Sequence, residues 1–315
     1  MLDGTPMPPG ISRNPTVTEW DPFAAVLHEG SIELSSGAAF DRDGRLIRAS
    51  LYDGEAFKRL TDDGTSPTPP ALIDGRIGSL ISEWYGGFYH WLTDCIPRLG
   101  AFEATGLHFD GYLVPANLSD FQQRTLDRLG ITEEIRVPFD GQRARAAEMV
   151  WAQSLSPHGF PTPYLVDWLR DRIGPQEQRS DPVRRLYFSR RVRGVANEAE
   201  VWPIFAAHGF ERIDCGAMTY SELQLLGSEA RIIAGPHGSA FVNAIFSPKV
   251  TTFEFYHEGW LHSSGVSAIL AAAGSDHYAI RGRMKRGVRS PKSKPMYIDP
   301  SVVATALTAV IDSTI

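Results

Sequence analysis

Three groups of residues in this chain are spaced for chemistry. The first is Ile232-Ile233-Ala234-Gly235-Pro236-His237-Gly238-Ser239-Ala240-Phe241-Val242-Asn243. An apolar run, a Gly-Pro turn, small residues and a new amphipathic run read as buried strand, tight loop and helix start. Small residues at such a junction let a ligand approach the backbone, where the first N–H groups and the helix dipole favour an anion, above all a phosphate. Gly238, Ser239 and Ala240 would supply amides, with His237 as an added donor. A second reading remains open, because Gly235 and Gly238 also permit a tight turn in any α/β protein and short glycine patterns do not separate the two.

The second group is Ser189-Arg190-Arg191-Val192-Arg193, which closes the apolar run at 185–188. Ligands of open α/β sheets sit beyond the carboxyl ends of strands. Guanidinium groups there fork onto a diphosphate, or else pair with nearby carboxylates as ordinary surface arginines. The third group is Tyr85-Gly86-Gly87-Phe88-Tyr89-His90-Trp91-Leu92-Thr93-Asp94. On a helix, His90 and Asp94 share one face, and a carboxylate that orients an imidazole and raises its basicity makes a general base. The alternative is a core histidine satisfied beside Trp91. Pro97 predicts a kink just past Asp94. Glu254, in Thr252-Phe253-Glu254-Phe255, ends a strand where a nucleotide site takes ribose hydroxyls, or where a glutamate simply faces solvent. Asn197 and Glu200 read as the cap of a helix. No His, Cys or carboxylate spacing suits a metal, so none is expected.

The elements that must position these groups follow from periodicity. Residues 1–20 hold four prolines and read as an extended arm. Short alternating runs at 31–34 and 45–47 read as hairpins, and the prolines at 67, 69 and 70 as a loop. Beyond residue 81, helices are expected at 88–104 and 118–129, with strands at 111–114, 135–137 and 148–151. A second set has strands at 185–188, 211–213, 231–234 and 251–255, and helices at 198–207, 220–229, 239–245 and 301–311. Such alternation implies parallel sheets with crossover helices. The polar, Pro-bounded stretch 174–182 is the linker, so the domains are 1–178 and 179–315.

The chain has 315 residues, 43% hydrophobic and 22% charged, enough for two globular halves. The cysteines at 95 and 215 read as small buried hydrophobes in a reducing compartment. With no leader or bilayer-length apolar run, the location expected is cytoplasmic. The net charge of −6 conceals seven basic and no acidic residues between Arg281 and Lys294, which leaves −13 on the rest. That stretch is a solvated loop or a contact for an anionic partner, such as a phosphorylated substrate or the inner face of a membrane. Nucleic acid is excluded as a partner by the confinement of the positive charge to one segment.

Taken together, these residues resemble glycosyltransferase family 61, the capsular-polysaccharide-type glycosyltransferases. The resemblance rests on the aromatic-His-Trp-Leu-x-Asp-x-x-Pro-Arg-Leu run at Tyr89–Leu99, on Phe188-Ser189-Arg190-Arg191 followed by Asn197-Glu198, and on Gly209-Phe210-Glu211. It continues through Gly235–Asn243 and Phe253-Glu254. It covers roughly residues 80 to 260. Where the family more often shows His-Gly-Ala-Gly-Leu-x-Asn, this chain has His237-Gly238-Ser239-Ala240-Phe241, which keeps the small residues and adds a hydroxyl.

The resemblance implies an α/β, GT-B-like fold: two Rossmann-like domains facing each other across a cleft, here with extra N-terminal β-hairpins. It also implies a nucleotide-sugar donor, probed first as UDP, held by the second half through Ser189, Arg190, Arg191, Arg193, His237, Gly238, Ser239, Ala240, Asn243 and Glu254. His90 or Asp94 would be the base of an inverting, metal-independent transfer to a glycan or glycolipid acceptor, with the donor as co-substrate and no cofactor. The 301–311 helix would cross back to the first domain. The aromatic residues Trp84, Tyr85, Tyr89 and Trp260 read equally as an acceptor platform or as core. Other classes weighed are a serine hydrolase at Ser239, which lacks the Gly-x-Ser-x-Gly elbow, and a non-catalytic nucleotide- or carbohydrate-binding protein.

Overall fold

A computed structural model describes residues 23–51, 72–156, 161–176, 181–257, 265–284 and 295–312. The arm at 1–20, the Pro-rich break, Trp260, residues 177–180 of the linker and Lys285–Lys294 of the basic stretch lie outside the described residues. The chain divides into two compact units at Gly174 and Pro175.

The first unit runs through β1 (Ala24–His28), β2 (Ser31–Glu33), β3 (Ala39–Phe40), β4 (Leu72–Ser79), α1 (Arg98–Thr105), β5 (Gly111–Pro115), α2 (Asp120–Arg128), β6 (Arg136–Phe139), β7 (Arg143–Ala152) and α3 (Pro163–Ile173). Strands β7, β4, β5 and β6 lie side by side in that order and run parallel. The N-terminal strands join this sheet: β1 and β2 pair antiparallel with β7, and β3 turns back on β2 as the expected hairpin. The run at 45–47 contributes only an isolated bridge, Phe40 to Leu46. Strand β4 has no apolar signature because polar pairing replaces it. The Arg76 guanidinium meets Glu148 at 2.6 Å, and its backbone N–H donates to Asp110 at 2.7 Å.

The second unit comprises β8 (Arg184–Ser189), α4 (Glu198–Ala207), β9 (Glu211–Asp214), α5 (Tyr220–Glu229), β10 (Ala230–Pro236), a 3₁₀ segment (Ser239–Phe246), β11 (Thr251–His257), α6 (Gly265–Ala272), β12 (Asp276–Gly282) and α7 (Pro300–Asp312). All five strands are parallel, in the order β12-β11-β10-β8-β9. The fold is therefore mixed α/β, two Rossmann-like units with parallel-rich sheets and additional N-terminal strands. Helix α5 begins where Thr219 and Glu222 exchange hydrogen bonds as a capping box. Asn197 serves a different purpose from the expected cap. Its side chain donates to the Ile298 carbonyl (2.8 Å) and accepts from the Ile298 N–H (3.0 Å), tying the C-terminal segment to the start of α4.

Phe205, Phe253 and Phe255 are fully buried in the core of this unit beside Tyr187. Burial of each such ring stabilises by about 2–3 kcal/mol. Val303, Leu307 and Ile311 of α7 belong to the same core. The last helix therefore contributes apolar residues to the core of the second unit. A correction concerns 239–245, where the α-helix expected is a 3₁₀ segment. The Asn243 side chain donates to the Ala240 carbonyl at 3.0 Å, competing with the helical ladder, and every residue from Phe241 to Phe246 is buried.

Gly235 is placed by conformation as well as size. Its φ of +148° suits glycine alone, and a Cβ there would lie 2.3 Å from the Phe188 carbonyl oxygen. Gly235→Ala is expected to lower stability by about 3 kcal/mol, the upper end for a strained backbone position; chemical denaturation of the variant against wild type measures it.

Candidate functional site

Each sheet reverses its winding once. In the second unit the chain passes from β8 outward to β9 and returns to lay β10 on the other side of β8. Right-handed crossovers then carry the connections that follow these two neighbouring strands to opposite faces of the sheet, which opens a crevice beyond their carboxyl ends. Ser189 and Arg190 stand at the end of β8, and Pro236 and His237 at the end of β10.

The Arg190 guanidinium donates to the His237 carbonyl and so fastens the two strand ends together. It covers Gly238 so closely that a Cβ there would lie 2.3 Å from Nη1. Burial holds Arg190 below its ordinary basicity, and the charge of Arg193 pushes the same way. Two cations in a partly dry corner oppose each other, and an anion bound there would relieve both. Ser239 is exposed and Ala240 half-buried just beyond this corner.

Beneath the loop lies an unforeseen network. The His237 ring meets the Glu254 carboxylate at 2.6 Å through Nδ1. Glu254 is fully buried, and its second oxygen accepts from the Tyr256 hydroxyl. His277 Nε2 is 3.6 Å from that same oxygen, while its Nδ1 meets the Thr252 hydroxyl at 2.8 Å. The Tyr256 ring stacks on His237 with centroids 5.1 Å apart. Glu254 thus lies under His237 and orients its ring, where the sequence suggested a ribose contact at the strand end. Thr252, Glu254 and Tyr256 alternate along β11 and so share one face of the sheet. That period-2 polar spacing was the signal available for Tyr256; nothing in the sequence paired His277 with it.

The remaining residues of the group are placed apart from this corner or in supporting roles. The Arg191 side chain is 86% exposed and pairs with Asp214 at 3.0 Å. Ser189 donates to the Ile213 carbonyl at 3.2 Å. Asn243 is fully buried within the 3₁₀ segment.

In the first unit the reversal falls between β4 and β7. The chain leaving β4 makes a helical turn at Phe88–His90, then a π-helix at Trp91–Cys95, before α1 begins. The break expected at Pro97 therefore takes the form of a π-bulge one turn earlier, with the Ile96 N–H donating to the Trp91 carbonyl at 3.1 Å. Such bulges occur often at functional sites. His90 Nδ1 and Asp94 Oδ2 are 2.7 Å apart, the carboxylate 4% exposed and the imidazole 28%. Arg98 is buried behind them, donating to the Asp94 carbonyl (3.0 Å) and the Ile81 carbonyl (2.7 Å). Trp91 is fully buried, its Nε1 donating to Thr125 at 2.8 Å. An oriented, half-exposed imidazole backed by a carboxylate can accept a proton from a hydroxyl. Among the described residues, no three His, Cys, Asp or Glu side chains gather as a metal site, and no helix is long and apolar enough to cross a membrane.

Burial holds the His277 imidazole below its ordinary value near 6.5; Glu254 opposes this and His237 reinforces it. The unfolded chain therefore takes up a proton at this residue before the folded protein does. Stability falls as pH drops below about 6.5, and His277→Gln is expected to make that acid-side fall shallower. Denaturant titrations of both proteins between pH 7.5 and 5 read the difference.

No curated protein matches the chain. A family model, Glycosyltransferase 61, matches residues 88–253, more than half of the sequence. The matched stretch holds the His90–Asp94 pair, the Arg190 strand end and the His237 loop, and it stops one residue short of Glu254. The chain belongs to glycosyltransferase family 61.

Proposed function

We propose that this glycosyltransferase works by inversion and without a metal, moving a sugar from a nucleotide donor, most simply a UDP-sugar, to a glycan or lipid-linked acceptor in surface polysaccharide synthesis. The observation that carries the reading is the clamp of Arg190 on the His237 carbonyl at the winding reversal of the second sheet. The donor diphosphate lies there, against the guanidinium groups of Arg190 and Arg193, the amides of Gly238–Ala240 and the His237 ring. Ser189 and Arg191 border it, while Asn243 and Glu254 support the loop from within.

In the reaction the acceptor oxygen forms its bond to the anomeric carbon as the bond from that carbon to the diphosphate oxygen breaks. The bonding pair leaves with the nucleoside diphosphate, and the acceptor proton passes to His90 with Asp94 behind it. Preorganised donors that meet the leaving group stabilise the charge it gains. The cationic run 281–294 suits an acidic lipid surface, which favours a peripheral position at the inner face of a membrane.

The wild-type protein is expected to release UDP from one or more members of a UDP-sugar panel. Arg190→Ala and His237→Ala should each slow turnover by about 10²-fold or more. His90→Ala and Asp94→Asn should slow transfer by about 10²- to 10⁴-fold, with UDP binding by calorimetry close to wild type. A wild-type protein that neither binds nor turns over any nucleotide sugar overturns the reading. Normal turnover in both first-unit variants removes His90 and Asp94 from the mechanism.

A further inference from the structure

Trp84 stands out within the first unit. Its side chain is 57% exposed, and its backbone is left-handed, with φ 64°. A bulky aromatic residue rarely adopts that conformation, and when one does the strain is maintained by its surroundings. Those surroundings are firm here. The Gly87 N–H donates to the Trp84 carbonyl at 2.8 Å, the Tyr85 N–H to the Ser82 carbonyl at 3.3 Å, and the side chain of buried Gln122 to the Tyr85 carbonyl at 3.0 Å. The result is a large apolar ring held out into solvent on a rigid turn. Stability alone would favour the opposite arrangement, with the indole buried and the backbone relaxed.

The position of the ring gives the reason. Its centroid is 6.3 Å from that of His90, with the planes 34° apart, and Tyr89 abuts His90 edge-on at 5.2 Å. With Nδ1 turned toward Asp94, the His90 nitrogen that would meet a hydroxyl is Nε2. We propose that Trp84 is a stacking platform for a pyranose ring of the acceptor, setting one of its hydroxyls against His90. The C–H face of a pyranose is flat and apolar and its rim is polar, so an indole face orients the sugar without charge while the rim stays free for hydrogen bonds. The inference rests on His90 as the acceptor-side base and adds the sugar class that the base would meet.

Saturation-transfer NMR with methyl glycosides of common hexopyranoses tests it directly. Wild type is expected to give the strongest enhancement at the C–H protons of one sugar face. Trp84→Ala should abolish the effect, and Trp84→Tyr should retain it with binding several-fold weaker. Trp84→Gly relieves the left-handed strain, so it is expected to melt at or above the wild-type temperature while losing the glycoside. Contact that persists in the Ala and Gly variants, no contact in wild type, or a large fall in melting temperature for every Trp84 variant would each overturn the inference. Transfer activity is judged separately. A wild type that releases UDP from a donor but shows no Trp84-dependent contact refutes the platform alone. One that binds glycosides through Trp84 but turns over no nucleotide sugar refutes the transfer reading and leaves the platform standing.

Discussion

A carboxylate sealed from water in the middle of a parallel sheet imposes the tightest constraint on this protein. Glu254 has no solvent exposure, and an isolated charge there would be very costly. It persists because neighbouring polar groups converge on it: the His237 ring on one oxygen, the Tyr256 hydroxyl on the other, and His277 close by. This determines where His237 points, and His237 in turn supplies the carbonyl that receives Arg190. The loop at the end of β10 is rigid because its histidine is anchored from below and its carbonyl from the side.

The first unit uses a related device with different surroundings. His90 is also oriented through Nδ1 by a buried carboxylate, this time one helical turn away. Asp94 is carried on the π-bulge, and its backbone carbonyl receives the buried guanidinium of Arg98. The His237 carbonyl receives the Arg190 guanidinium while its ring rests on Glu254 and Tyr256; the His90 ring is flanked by Trp84 and Tyr89. In the second unit the winding reversal brings together the ends of two separate strands, whereas in the first the group lies on the single stretch that follows β4.

The elements with a strong local signal are legible in the sequence itself. Helices 198–207 and 220–229 stand as expected to the residue, and strands β5, β8 and β11 within one or two positions, because each repeats its apolar residues at a period set by its own backbone. Strands β1, β4 and β12 and helices α3 and α6 were not foreseen. In β4 cross-strand ion pairing stands in for apolar alternation. The 3₁₀ segment at 239–246 was expected as an α-helix because periodicity cannot register the side-chain bond from Asn243 or close packing on every side.

The candidate site divides in the same way. Spacing along the chain identified His90 with Asp94, the Arg190 strand end and the small-residue loop at His237, since these contacts lie within a turn or at a recognisable junction. The tertiary structure alone decided that Glu254 meets His237, that Arg191 turns to Asp214, and that Asn243 is sealed inside. It alone joined Tyr256 and His277 to the network and set Trp84 out beside His90. Each of these depends on which strands become neighbours and on which groups water can reach. Such pairings link residues far apart in the chain, and no local pattern encodes them.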